Sequence, residues 1–257
     1  MSHLDELSQA PSHVPARGAE AAAALDRLAA RAVGDEAFSR DVDVVRVALR
    51  QHEEAIAQQR EERERAMLRQ RRNHAAVMAL ARSESLGRGA LDESLREITE
   101  TASTILGVER SSVWIYDGDQ TAILCLELFQ RGKRTHESGI ELLATSFPHY
   151  FAALKEERVI AAHDAHTDPH TREFTASYLA PLGIGAMLDA PIRVGGRMIG
   201  VLCNEHVGLA RQWTIEEEQF AVSLADFIAL AMESSQRRES EAQLRMMLEA
   251  HESAGSI

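Results

Sequence analysis

The segment AMLDAPIRVGGRMIGVLCNEHVG (residues 186–208) decides the fold. Two apolar runs, about Ala186 to Val194 and Arg197 to Glu205, flank Gly195-Gly196. Paired glycines between strands accept the positive φ angles of a two-residue hairpin turn. Strands joined by so short a link run antiparallel. Upstream, SSVWIY (111–116), the turn residues Asp117-Gly118-Asp119 and TAILCLELF (121–129) repeat the arrangement. Two hairpins exclude a doubly wound parallel sheet and predict one antiparallel sheet with helices on its faces.

Helix signals fill in the rest of this region. Leu91, Leu95, Ile98, Ala102 and Ile105 form one apolar stripe that Gly107 closes. After an irregular stretch through Gly139, the segment Phe147 to Glu157 is predicted helical, with Ser146 as its cap and Pro148 in its first turn. Val159 to Ala162 reads as a short strand. Asp168-Pro169 then opens a helix with Phe174 and Tyr178 on one face, and Pro181 to Gly185 closes it. Thr214 and Glu217 make a capping box for a last helix, on which Phe220, Leu224, Phe227, Ile228 and Ala231 lie at core spacing. The order α-β-β-α-β-α-β-β-α predicts an α+β domain. Its first and last helices should lie side by side on one face of the sheet, leaving the other face to short helices, loops and any ligand pocket.

Outside this domain the chain reads as helical rods. Residues 1–16 lack periodicity and are expected to be a disordered leader. An Ala-rich helix is expected from about Ala19 to Ala32, with Gly34 as its stop. From Asp35 to Ser85 there is no Pro or Gly, and Val42, Val45, Leu49, His52 and Ile56 recur at the three-and-four spacing of a seam facing another helix. Gly87 and Gly89 should break this rod. Beyond Ser234, SSQRRESEAQLRMMLEAHE extends the last helix toward Gly255 with few apolar residues. The organisation is therefore read as a leader (1–16), a helical or coiled-coil region (17–86), a compact domain (87–234) and a C-terminal helical linker (235–257).

Composition narrows the function. The 257 residues hold 28 Lys and Arg against 40 Asp and Glu, a net charge of -12 that argues against nucleic acid or an anionic membrane surface as partner. No run of about 18 apolar residues exists, and Met1 to Pro15 lacks the basic start and apolar segment of a signal peptide, so a cytoplasmic location is expected. Two cysteines, Cys125 and Cys203, are too few for a disulfide framework or a thiolate metal cage. The Arg-rich stretch QQREERERAMLRQRR (58–72) interleaves Glu and has no aromatics, which favours a solvated helix face over phosphate binding. Arg72-Asn73-His74 sits on a helix as a phosphoacceptor histidine would, but no P-loop or Gly-rich nucleotide lid accompanies it. Gly183-x-Gly185 lacks the third glycine of a dinucleotide site, and there is no Gly-x-Ser-x-Gly elbow. No catalytic residue is assigned.

ITETASTILGVERSSVWIY (98–116), HESGIEL (136–142), FPHYFAALKEERVIAAHDAHTDPHTREFTASYLAPLGI (147–184), the hairpin segment above and RQWTIEEEQFAVSLADFIALAM (211–232) occur in this order. Over about Leu91 to Ser234 the chain thereby resembles the GAF domain, a small-molecule sensor module of bacterial signalling proteins. The resemblance extends to the subtype found in sensor histidine kinases and diguanylate cyclases, and QRRESEAQLRMMLEA looks like the lead-in to a further domain. It implies a GAF-like antiparallel sheet flanked by helices, with long N-terminal and C-terminal signalling helices. The implied function is a non-enzymatic cytoplasmic sensory module that binds a small molecule or partner and transmits signal through dimeric helices. The alternatives are the regulatory part of a sensor histidine kinase, truncated or acting in trans, and lastly a metal, haem or redox protein.

On the elements that surround the GAF ligand cavity, the resemblance places Trp114, Tyr116, His149, Tyr150, Phe151, Tyr178 and Asp189. The cluster AHDAHTDPHT (162–171) adds His163 and Asp164 to the pocket candidates. With His166, His170 and Asp168 it has donors that suit zinc, iron or nickel, but a solvated helix-capping loop is preferred and no metal is assigned. Alternation from Met198 puts Gly200, Leu202, Asn204 and His206 on one face of their strand. His206 is open to roles as a ligand-facing donor, a haem ligand or a hydrogen-bonded end to the sheet, the last being preferred. A bilin would need a cysteine in the middle-helix region, and methionine sulfoxide reduction a close relay of cysteines; Cys125 and Cys203, in separate hairpins, offer neither. The Asn-Lys-Phe-Asp-Glu set of cyclic-nucleotide binders is not found. The cofactor is left unknown. Expected partners are a second copy, through helices 35–85 and 214–250, a small-molecule ligand and a signalling output protein, with neither nucleic acid nor membrane.

Overall fold

The structure, a computed structural model, describes residues 14–31 and 35–254. The first thirteen residues of the expected leader, the expected helix stop Gly34 and the expected end at Gly255 lie outside these. The chain divides into two compact units at Leu68/Arg69.

In the first unit, α1 (Val14–Arg31) begins five residues before its expected start, so residues 14–16 are helical. Helix α2 (Glu36–Leu80) opens on Asp35, whose carboxylate accepts the amides of Ala37 and Phe38 at 3.1 Å, an N-cap that satisfies otherwise orphaned donors. The seam on α2 is narrower than the spacing predicts. Val42 is buried and Leu49 and Ile56 are half-buried at intervals of seven, while Val45 and His52 are exposed.

In the second unit the rod breaks earlier than Gly87. Helix α2 ends at Leu80, and the Ser83 hydroxyl accepts the Ser85 amide to start α3 (Glu84–Arg88), which Gly89 closes at φ 62°. A serine side chain that bonds the backbone locally competes with helix continuation, which the glycine-based reading overlooked. Helix α4 (Leu91–Leu106) follows and ends on Gly107 in the left-handed conformation.

The sheet comprises β1 (Arg110–Tyr116), β2 (Ala122–Gln130), β3 (Thr135–Glu137), β4 (Glu141–Leu143), β5 (Ile160–Ala162), β6 (Ile184–Val194) and β7 (Arg197–Val207). Its order is β3-β2-β1-β7-β6-β5, with β4 also on β2, and every pairing is antiparallel. Strand β3 lies in the stretch read as irregular through Gly139, and β4 follows it where no element was expected; three residues each are too few to show alternation. Gly195 and Gly196 turn the β6–β7 hairpin at φ 57° and 79°. Gly200 admits β1 closely, since a Cβ there would overlap the Trp114 carbonyl oxygen.

Helices α4 and α7 (Ile215–Ala254) lie together on one face, as expected. Leu95, Ile98 and Ala102 of the first and Phe220, Leu224 and Ile228 of the second form one core with Val113, Leu188, Ala190 and Leu202 of the sheet. Beyond the sheet α7 carries exposed Leu244, Met246 and Met247. The opposite, far face is covered by α5 (Pro148–Glu156), a 3₁₀ turn (Arg172–Phe174), a π turn (Thr175–Leu179) and α6 (Ala180–Leu182). The expected regular helix after Pro169 is thus a succession of tighter and wider turns, with Pro181 in the first turn of α6 and Gly183 closing it at φ 67°. No helix of the described residues is long and apolar enough to cross a membrane.

Candidate functional site

Residues Ile184 to Ile192 of β6 are all buried because both faces of this central strand are covered. Asp189 is the only ionisable residue among them. Alternation sends Leu188 and Ala190 to the helices α4 and α7 and turns Asp189 to the far face. The ladders set Asp189 beside Cys203 of β7 and Cys203 beside Ser112 of β1, while Met187, Glu205 and Arg110 form the next row. Polar side chains from three strands therefore meet under the aromatic cover.

In one row Arg110 Nε donates to Glu205 Oε2 at 2.6 Å, with the two side chains only 10% and 2% exposed. The Tyr178 hydroxyl donates to Glu205 Oε1 at 2.7 Å, and Arg110 Nη2 donates to the Tyr178 oxygen at 3.3 Å. Burial works against the guanidinium charge, but the neighbouring Glu205 outweighs it and Arg110 stays firmly protonated. Burial, reinforced by Glu205, raises the Tyr178 phenol in turn.

In the other row the Tyr150 hydroxyl donates to Asp189 Oδ2 at 2.7 Å and lies 3.5 Å from Cys203 Sγ. Asp189 Oδ1 is buried with no hydrogen-bond partner. Burial pushes the Asp189 carboxyl up to about 7 against the opposing bond from Tyr150, and Glu205 adds to the rise. Trp114 Nε1 donates to Ser112 Oγ at 2.8 Å. Burial likewise raises both thiols, Cys125 to about 12, so neither is a ready thiolate nucleophile. Over this layer Phe147 stacks on Phe174 with centroids 4.0 Å apart, and Tyr150, Phe151, Tyr178 and Tyr116 continue the cluster edge to face.

Of the residues expected to surround a pocket, Trp114, Tyr150, Phe151, Tyr178 and Asp189 are brought together here. Tyr116 stands at the margin, where it lines a groove of about 500 Å³ with Leu91, Ile115, Val194, Met198 and Met232. Its hydroxyl is buried without a partner, and burial raises it to about 12. Arg110, Glu205 and Ser112 were not foreseen as site residues.

His149 departs from the expected arrangement: its side chain is 68% exposed and pairs with Glu173 at 2.6 Å. Glu173 also accepts the amides of His149 and Tyr150, so it, rather than Ser146, caps α5; Ser146 belongs to a preceding 3₁₀ turn. His163 faces the start of α7. Its Nδ1 accepts the Trp213 amide at 3.0 Å, its carbonyl accepts the Arg211 amide at 2.9 Å, and Trp213 Nε1 donates to the Ala162 carbonyl at 3.2 Å. Asp164 and Asp168 accept the amides two residues on, from His166 and His170, in local turns. Among the described residues no three His, Cys, Asp or Glu side chains converge to hold a metal ion. His206 is register partner of Ala186 and so lies on the α4/α7 side of the sheet, with Nδ1 3.3 Å from Glu109 Oε2. His206 thus stands apart from the polar side chains of the far face; alternation gave its companions but not which face they took.

Residues 90–232 match the model of the GAF domain. The chain belongs to the GAF domain family. This family is one of sensory and ligand-binding modules, and its fold is shared with solved structures at low identity. The phycoerythrobilin-bound GAF domain from a cyanobacterial phytochrome is 16% identical, with a TM-score of 0.54 over 65% of this chain and 97% of that one. The GAF domain of a phosphoenolpyruvate-protein phosphotransferase from Coxiella burnetii is 17% identical, with a TM-score of 0.52 over 68% and 98%. The corresponding domain from Acinetobacter is 16% identical, with a TM-score of 0.50 over 65% and 93%. No curated protein matches the sequence.

Proposed function

We propose that this protein is a non-enzymatic sensory GAF module of the signalling subtype, which binds a small molecule on the far face and passes the change through paired helices to an output protein. The observation that carries this reading is α7. It is one 40-residue helix whose beginning is tied to the far side of the sheet through Trp213 and His163, whose first half packs on the sheet and whose residues 236–247 are exposed. A shift in the far-face loops is thereby delivered to the start of the helix that leaves the domain. The burial of Cys125 and Cys203 in strands supports a guest held without a covalent bond. The exposed apolar residues Val44 and Val47 of α2 and Leu230, Leu244 and Met247 of α7 support association through helices 35–85 and 214–250.

Light scattering on the full chain at micromolar concentration tests the reading. The expected mass is twice the 28.4 kDa of one chain. A single-chain mass at every concentration would overturn transmission through paired helices.

A further inference from the structure

We propose that Asp189 is a proton-binding group through which the far face responds to pH, independently of any small-molecule guest. The far face buries two carboxyl groups, Asp189 and Glu205, and one guanidinium, Arg110. Arg110 is committed to Glu205 and Tyr178. Asp189, fully buried, is held by Tyr150 at Oδ2, with weaker help from the Asn204 amide and the Cys203 thiol, and its Oδ1 has no hydrogen-bond partner. An ionised carboxylate out of water needs several strong donors or an opposite charge to offset its lost hydration, and it takes up a proton when it has neither.

The groups around it supply no such charge. Strand β7 presents Cys203 and Glu205, β1 presents Ser112 and the already paired Arg110, α5 presents Tyr150, the π turn presents Tyr178 and β2 presents Cys125. Strand β5 sets the uncharged Ile160 beside it. The tyrosines and thiols here are held protonated by burial, and Glu205 repels a second negative charge. The raised carboxyl, at about 7, points the same way.

A proton on Oδ1 removes the buried charge and weakens the hold of Asp189 on the Tyr150 hydroxyl, because a neutral carboxyl accepts hydrogen bonds less strongly than a carboxylate. Tyr150 belongs to α5. Ile160, opposite Asp189, belongs to the strand that leads through Ala162 and His163 to Trp213 and α7. The consequence for α7 rests on the sensory reading; the proton uptake does not.

Carbon-detected NMR of the full chain labelled with ¹³C in its aspartate carboxyls, from pH 5 to 9, tests the inference. One carboxyl carbon is expected to titrate near pH 7 in the wild type and to be missing in Asp189→Asn, while exposed aspartates finish titrating near their usual value of about 4. The inference is overturned if no aspartate titrates above pH 6, or if the one that does persists in Asp189→Asn. Should Asp189→Asn fail to fold, Tyr150→Phe decides. Removal of the strongest donor to the carboxylate should raise the midpoint by about one pH unit, and an unmoved midpoint overturns the inference. A single-chain mass in light scattering would leave this titration standing, and an absent titration would leave the paired-helix reading standing.

Discussion

Arg110, Glu205 and Tyr178 show what a buried charge demands of its neighbours. Each carboxylate oxygen of Glu205 has its own donor, so the pair is tolerated beneath the aromatic cover. Arg110→Ala would strand the Glu205 carboxylate, and urea denaturation should show a loss of about 3 kcal/mol or more. Asp189 has no such counter-charge, and its carboxyl rises from 3.8 to about 7 on folding. The folded state then holds the proton more tightly than the unfolded chain does. This contribution to stability is complete below about pH 4 and is lost as pH rises through about 7. Urea midpoints at pH 5 and pH 8 should therefore differ in the wild type by more than in Asp189→Asn. Asp189 was reached from the sequence through the family resemblance, which set it on an element beside the ligand cavity. The Arg110–Glu205 pair was not. The partners are 95 positions apart, and alternation assigns faces only once the register between strands is known.

Among the elements, those with a strong local chemical signature were read most fully from sequence. The Gly195-Gly196 hairpin and the Thr214/Glu217 capping box occur as expected: the Thr214 amide donates to Glu217 at 2.9 Å, and the Glu217 amide donates back to the Thr214 hydroxyl at 3.3 Å. Thr214→Ala removes one half of that box and should lower stability by about 1 kcal/mol, measurable by thermal or urea unfolding. Strands β3 and β4 escaped notice, and the turns from Arg172 to Leu182 were read as one regular helix, because tertiary packing sets them and no periodicity develops over three to five residues. Gly200 was legible only as a strand residue. Gly200→Ala would force β1 and β7 apart at Trp114, and a loss of about 3 kcal/mol or more in urea unfolding is expected.

At the scale of the whole molecule, the sheet separates a polar far face from the helices α4 and α7, and the latch at His163 and Trp213 joins the two sides. Arg211 strengthens that junction. It lies 4.1 Å over the Trp213 ring and donates to the carbonyl of Leu106 at the end of α4 and to Glu217 at the start of α7. The side-by-side placement of α4 and α7 followed from the order of elements, whereas the latch did not, because it joins a loop histidine to a backbone amide fifty positions away. Amide hydrogen exchange on the full chain, comparing wild type with Asp189→Asn at pH 8, measures communication across the sheet directly. Altered exchange is expected both in α5, at Pro148–Glu156, and in the first turns of α7, from Ile215 onward. A difference confined to α5 and β6, with α7 unchanged, would contradict it.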